Sequence, residues 1–379
     1  MLVATPGGGG GRVAESAKAK VRRASLLGND DFRILLELTS VGDIAVHLGK
    51  GAYAQILKGF ALEDMHRSEL EFLLGSSILA ESVNFRHYAD QSDKKLLDLW
   101  LEYFDIILFK NHFRLKLGTV VWDRNLSPDR MLDIVADYHL TLIDKDKLLS
   151  GNSLKDIIMS VKNDDLRAAL FEAVPGRENV SVTQGAELQK AGFNIGMTLD
   201  RYYFNNLCAA VAGLGGTEGR LLRMLAGTRV DLINIYWIYR ARRFFNMLPE
   251  EALTLIIKAR YHADFNLLTQ VAFAEPHALG AALSGTPYAR VFETDDGYAV
   301  MSDAALREVV IERNIYRFLF AVAEHVFLSG SLGFQNVAAY LILKELEVRD
   351  LVAVTEAVRY GFDKSKTAMF LVRPLGKVN

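Results

Sequence analysis

One helical pattern recurs three times along this chain. That recurrence restricts the fold more than any single residue does, because each copy must be a unit that packs on its neighbours. The first copy reads Tyr103-Phe104-Asp105-Ile106-Ile107-Leu108 and continues to Arg114 and Lys116. The second reads Arg229-Val230-Asp231-Leu232-Ile233-Asn234-Ile235 and continues to Arg240 and Arg242. The third reads Leu346-Glu347-Val348-Arg349-Asp350-Leu351 and continues to Glu356 and Arg359. The first two share the spacing from the acid to both bases. In the third, read with Glu347 as the acid, Glu356 stands where the others have arginine.

Two further elements repeat. Leu199-Asp200-Arg201-Tyr202-Tyr203-Phe204 matches Ile311-Glu312-Arg313-Asn314-Ile315-Tyr316, with Ala80-Glu81-Ser82-Val83-Asn84-Phe85 as a weaker copy. Ser40-Val41-Gly42-Asp43-Ile44 matches Ser153-Leu154-Lys155-Asp156-Ile157, and Leu48 to Tyr53 matches Leu283 to Tyr288. Their order places three helical units at 13–117, 118–245 and 246–379, after a flexible glycine-rich tail over 1–12 that holds Gly7 to Gly11.

The expected fold class is all-α, with three similar helical subdomains in a pseudo-threefold arrangement. Only 7 prolines are scattered along 379 residues, so long helices run uninterrupted. Asn29-Asp30-Asp31 and Pro249-Glu250-Glu251 have the caps and acidic first turns of helix starts. β-type alternation is confined to Val291–Met301, where Asp296-Gly297 suggests a short hairpin. Gly213 to Gly219 reads as a flexible loop between helices, since no strand precedes it as a dinucleotide fingerprint requires.

Helix geometry constrains what the repeated residues do. Acid and first arginine lie nine residues apart and face opposite sides at about 100° per residue, so they do not pair with each other. The second base, Lys116 or Arg242, returns to the acid's face further on. Two readings follow. One is helix-end electrostatics with ion pairs between units. The other is a polar socket about a central opening, with Asp105, Arg114, Lys116, Asp231, Arg240, Arg242 and Glu347 as candidate interface residues. Tyr236, Trp237, Tyr239, Phe244 and Phe245 crowd the second copy beside its arginines, a mixture found both at interface hot spots and in helix packing.

Other chemistry finds little support. A net charge of −2 gives no global basic excess for nucleic acid. The single cysteine, Cys208, excludes an internal disulfide, suits a reducing cytoplasm, and sits in an apolar run as a structural thiol would. No signal peptide is visible, and no window reaches the roughly 18 apolar residues of a membrane span. Gly7 to Gly11 lack the Lys-Ser/Thr of a phosphate loop. His139 near Asp133 and Asp137 reads as a surface cluster rather than a metal site. No catalytic, cofactor-binding or metal constellation is expected.

The segment Ala338 to Leu351, in which Tyr340-Leu341 leads to Lys344-Glu345 and then Glu347-Val348-Arg349-Asp350-Leu351, resembles the C-terminal signature of the C (or d) subunit of V/A-type rotary ATPases, with Asp350 at the family's usual Asn. Lys18 to Leu27 resembles the family's first helix, and Asp231 to Arg240 its middle repeat. The resemblance covers nearly the whole chain after residue 12. It implies a funnel-shaped, non-catalytic protein without cofactor, peripheral on the cytoplasmic face of the membrane. It implies central shaft subunits of the D/F type and the membrane rotor ring as partners, with membrane contact only through the ring. A generic α-helical repeat scaffold for an unrelated cytoplasmic partner is the alternative, and an enzyme using Asp105, Arg114, Asp231 and Arg240 in a polar cleft is a third reading.

Overall fold

The computed structural model describes residues 9–116, 141–176, 185–275, 278–292 and 304–375, with side chains described from 14–113, 141–176, 191–275, 278–292 and 307–375. In chain order the helices are α1 (Gly9–Ala24), α2 (Asn29–Glu37), α3 (Val41–Gly49), α4 (Ala54–Leu57), α5 (Arg67–Tyr88), α6 (Gln91–Lys116), α7 (Lys145–Ser150), α8 (Leu154–Met159), α9 (Asp164–Glu172), α10 (Gly185–Ala212), α11 (Gly216–Phe244), α12 (Pro249–Leu253), α13 (Phe265–Phe273), α14 (Leu279–Ala282), α15 (Ala289–Phe292), α16 (Ala304–Phe327), α17 (Phe334–Tyr360) and α18 (Lys364–Phe370). Ile143 and Val161 form an isolated antiparallel bridge, and no strand is present among the described residues. The fold is all-α, as the patterning predicts.

The chain clusters into two compact units, one of residues 1–52 and 208–379 and one of residues 53–207. In the first, α17 is the central helix. It is buried on all sides from Phe334 through Leu343, which marks a core helix rather than an amphipathic surface one. α16 packs antiparallel to it, α1 lies along it, and α11 contacts both α16 and α17. Ion pairs fix these crossings. Arg229 on α11 makes a two-bonded fork to Glu345 on α17 at 2.8 and 2.6 Å. Arg349 on α17 meets Glu312 on α16 at 2.8 Å while its guanidinium covers the Tyr316 ring at 3.8 Å.

The head of α17 is held by two other helices. The Ser16 hydroxyl of α1 accepts the Gly333 N–H at 2.8 Å, and the Glu218 carboxylate of α11 accepts the Phe334 N–H at 2.7 Å. A carboxylate there satisfies an orphan donor and complements the helix dipole.

The second unit is built on the α5–α6 hairpin, with Leu79 and Leu101 at its centre and Phe72, Val83, Phe104 and Leu108 around them. α10 joins through Tyr203, whose ring lies 4.9 Å from that of Tyr103, and through the Asp200–Lys110 ion pair.

The repeated Ser-x-x-Asp element forms the same local structure twice. Ser40 caps α3 by accepting the Asp43 N–H at 3.0 Å, and Ser153 caps α8 by accepting the Asp156 N–H at 3.2 Å. The same serine hydroxyls bond the carboxylates, Ser40 donating to Asp43 at 2.7 Å, and hold both exposed carboxyls below the usual range.

Four expectations need correction. The glycine-rich tail is helical from Gly9, and residues 1–8 lie outside the described residues. The cap of α2 is Gly28 rather than Asn29, because the Asp31 carboxylate reaches back to the Gly28 N–H at 2.7 Å. Val291 and Phe292 stand in a helical turn, not a strand. Both are buried, whereas consecutive strand residues point to opposite faces. The rest of that expected hairpin lies outside the described residues. The Gly213–Gly219 loop is a tight corner. Gly216 adopts φ +66°, and a Cβ on Gly219 would sit 2.1 Å from the Leu214 carbonyl oxygen.

A second close approach occurs on α11. A Cβ on Gly227 would lie 2.5 Å from Cβ of Tyr261, so the crossing chain needs glycine there. Gly227→Ala should displace Tyr261 and cost about 1–3 kcal/mol despite the better helix propensity of alanine. Thermal unfolding checks this, and an unchanged or raised midpoint refutes the packing.

Candidate functional site

The acids of the repeated helix are buried, so each must find donors inside the protein. Asp231 lies mid-way along α11 with no exposure. It accepts the backbone N–H groups of Tyr261 at 2.9 Å, His262 at 2.6 Å and Ala263 at 2.8 Å, and the Tyr288 hydroxyl at 2.7 Å. One helical turn on, Asn234 binds Ile257 both ways, donating to its carbonyl at 3.1 Å and accepting its N–H at 2.7 Å. Together they dock residues 257–263 against α11. Burial and the adjacent Asp231 push the Tyr288 hydroxyl well above the ordinary tyrosine range, so it remains a donor.

Asp105 does the same on α6. It is 3% exposed and accepts the Leu142 N–H at 2.6 Å, with the Thr141 hydroxyl at 3.4 Å. Burial pushes its carboxyl up to about 7, against the downward pull of the Leu142 and Thr141 bonds.

The third residue with this role is Asp350, not Glu347. Asp350 accepts the Val372 N–H at 2.7 Å and the Arg373 N–H at 3.0 Å, and burial raises its carboxyl to about 6. With Asp350 as the acid, Arg359 falls nine residues on, the spacing of Asp105 to Arg114 and Asp231 to Arg240. The register that set Glu356 against the arginines was therefore three residues off. Glu347 serves another purpose. It pairs with Lys344 at 2.9 Å in a nearly dry contact and accepts the Leu27 N–H.

The first base of the second copy points away from its acid, as the nine-residue spacing requires. Arg240 reaches across to Glu308 of α16 at 3.0 Å, where the Tyr236 hydroxyl also donates to Glu308 at 3.1 Å. Arg242 donates to the Met247 carbonyl at 2.8 Å and so ties down the turn after α11. Arg114 and Lys116 stand in the last turn of α6, and their side chains lie outside the described residues.

The aromatic cluster of the second copy divides. Tyr236 and Tyr239 serve packing, while Phe244, Phe245 and Leu248 are 37%, 57% and 60% exposed beside Arg243. The end of α17 is similar, with Tyr360 and Phe362 stacked at 5.7 Å and both exposed.

Asp231 is fully buried and spends its carboxylate on four donors of this chain, so it is placed to hold chain rather than to meet a substrate. Among the described residues no His, Cys, Asp and Glu group has metal-ligand spacing, and no helix is long and apolar enough to cross a membrane. His139, Asp133 and Asp137 lie outside the described residues. Cys208 is partly buried, and burial raises its thiol to about 11, so it is not an activated nucleophile.

Sequence reasoning found Asp105 and Asp231 but missed Asp350, Asn234 and Gly227. The nine-residue spacing to Arg359 was the available signal for Asp350.

The buried pair gives a direct test. Lys344→Met removes the ammonium held 2.9 Å from Glu347 in the core and should cost up to about 3–5 kcal/mol in urea unfolding. Adding Glu347→Gln, which still accepts the Leu27 N–H, should recover part of that loss. Equal stability of the single and double variants would contradict the pairing.

Comparison with known proteins agrees with this architecture. Residues 16–369 match the family model described as ATP synthase (C/AC39) subunit. The C subunit of the A-type ATP synthase of Methanosphaera stadtmanae is 21% identical over 347 residues, covering 91% of this chain and 83% of that protein. Its counterpart of the same name in Methanothermobacter thermautotrophicus is 20% identical over 349 residues, with the same two coverages. That from Methanobrevibacter smithii is 23% identical over 249 residues, 65% of this chain and 62% of that protein. The chain belongs to the C/AC39 family of ATP synthase subunits, a structural component rather than a catalytic one.

Proposed function

We propose that this chain is the central-rotor component that couples the shaft of an A/V-type rotary ATPase to its membrane ring, acting as a socket on the cytoplasmic face. The observation that carries this reading is the family match over residues 16–369, which takes in all three acid-bearing helices. Shaft subunits of the D/F type enter the socket, and the ring provides the only membrane contact. The three repeat units over 13–117, 118–245 and 246–379 are arranged about a pseudo-threefold axis.

The physical features suit torque transfer. A coupling must resist twisting, and long helices crosslinked by buried carboxylates deform less than loops do. Mid-helix anchors at Asp105, Asp231 and Asp350 hold the downstream segments in place. The bases near the helix ends, Arg114 and Lys116 on α6 and Arg240, Arg242 and Arg243 on α11, are the candidate shaft contacts, with Phe244 and Phe245 as apolar anchors. In this reading Asp105, Asp231 and Glu347 act on the socket from within, by holding its wall.

Affinity capture of the chain from native membranes tests the proposal. Shaft subunits and the ring should be recovered with it. Recovery of unrelated cytoplasmic proteins alone would support a scaffold for another partner and overturn the rotary reading. The shaft contact should loosen as salt rises, because exposed charges separated by more than about 8 Å are screened at physiological ionic strength. Binding that does not change with salt would point to an apolar socket.

A further inference from the structure

α11 and α17 end together. Glu218 of α11 bonds Phe334 of α17, and Arg229 bonds Glu345, so the partners in both pairs are 116 residues apart. A constant offset means that the two helices run parallel in one register. The same offset sets Arg243 and Phe244, at the end of α11, against Arg359 and Tyr360, at the end of α17. α16 runs the other way. Glu308 in its second turn meets Arg240 and the Tyr236 hydroxyl, so the start of α16 lies at this same end of the unit.

Charge is unbalanced here. Arg240 is spent on Glu308, and Arg242 on the Met247 carbonyl. The Glu251 carboxylate accepts the Leu248 N–H, and that of Asp363 accepts the Lys366 N–H. Among the described residues Arg243, Arg307 and Arg359 form no ion pair. Glu250, exposed at the start of α12, offsets at most one of them. Arg243 and Arg307 are within electrostatic reach of the Tyr239 hydroxyl, and Arg359 lies over the Tyr360 ring at 5.3 Å. The helix dipole favours a base at a C-terminus, which accounts for Arg243 and Arg359. It opposes one in the first turn of α16, where Arg307 stands. Nor does it explain the rings of Phe244, Phe245, Tyr360 and Phe362, all exposed beside these arginines. Unspent guanidinium groups among exposed rings are the composition of a surface that meets another protein.

We propose that this end of the unit takes an acidic segment of a partner protein, whose carboxylates pair with Arg243, Arg307 and Arg359 while its apolar side chains cover the exposed rings. A planar guanidinium fits a carboxylate through two parallel bonds, and the pairing neutralises charge that this chain leaves unmatched. Under the rotary reading, on which this rests, the partner is the shaft, and the end of α17 joins that of α11 in holding it.

Photo-crosslinking in the full complex tests this. p-Benzoylphenylalanine replaces Phe245, Phe362 or, at the opposite end of the unit, the equally exposed Leu332. Native membranes are irradiated and the linked peptides sequenced. Phe245 and Phe362 positions should both link to one stretch of a shaft subunit in which Asp and Glu outnumber Lys and Arg, and the Leu332 position should not. Arg243→Glu combined with Arg359→Glu should lower recovery of shaft subunits by about tenfold at low salt with the helical content intact, since neither arginine is paired within this chain. Links to lipid, to the ring or to a stretch without acidic excess overturn the proposal, as do absent links or undiminished recovery by the double variant. If that variant fails to fold, the linked peptides decide alone. A wild-type chain that recovers no shaft subunit overturns the rotary reading itself, and the partner named here with it.

Discussion

A carboxylate buried in the middle of a helix cannot be left without donors, and this requirement organises the long helices of the protein. The backbone of the host helix is already hydrogen-bonded to itself, so the donors must come from another part of the chain. Asp231 draws them from residues 261–263, Asp350 from 372 and 373, and Asp105 from 142. In each case an irregular segment with unspent N–H groups meets a helix with an unspent acid. Each satisfies the other, and an irregular stretch becomes fixed in place without forming a strand. The close approach this demands explains Gly227, where any side chain would collide with Tyr261.

The central helix α17 shows the same logic at higher density. Its apolar residues give it burial on every side, and most of its polar residues find partners, the Gln335 Oε1 excepted. Lys344 and Glu347 answer each other, Asn336 donates to the Phe327 carbonyl at the end of α16, and Glu218 and Ser16 close the first turn of α17. The segment that follows α18 is fixed too. Arg317 donates to the Leu371 carbonyl at 2.9 Å, and Arg33 donates to the Leu375 carbonyl at 2.8 Å.

Much of this was legible in the sequence, and the failures have physical causes. Helical class followed from apolar periodicity and scarce proline. Asp105 and Asp231 stand out because the same helical pattern carries an acid at the same spacing from two bases. The third copy went astray because Glu347 and Asp350 lie one turn apart on α17, and both are buried. Local pattern does not tell which of two such acids meets backbone and which meets Lys344. That depends on residues 372 and 373, which only the fold brings to α17. The expected hairpin failed at its described end for a similar reason, because Val291 and Phe292 are both buried in a helical turn. Among the aromatics of α11, sequence offered interface and packing as equal readings, and the fold assigns Tyr239 to the core and Phe245 to the surface.

Family membership and the anchoring scheme meet in one idea: a structural component kept stiff by carboxylates that fasten irregular chain to long helices. Urea unfolding of Asp105→Ala, Asp231→Ala and Asp350→Ala measures that idea directly. Each variant strands buried N–H groups and should lose about 1–3 kcal/mol or more, with Asp231→Ala, which frees four donors, losing most. A loss below about 0.5 kcal/mol at any of the three, the level of an ordinary surface change, would contradict the claim that these anchors hold the structure.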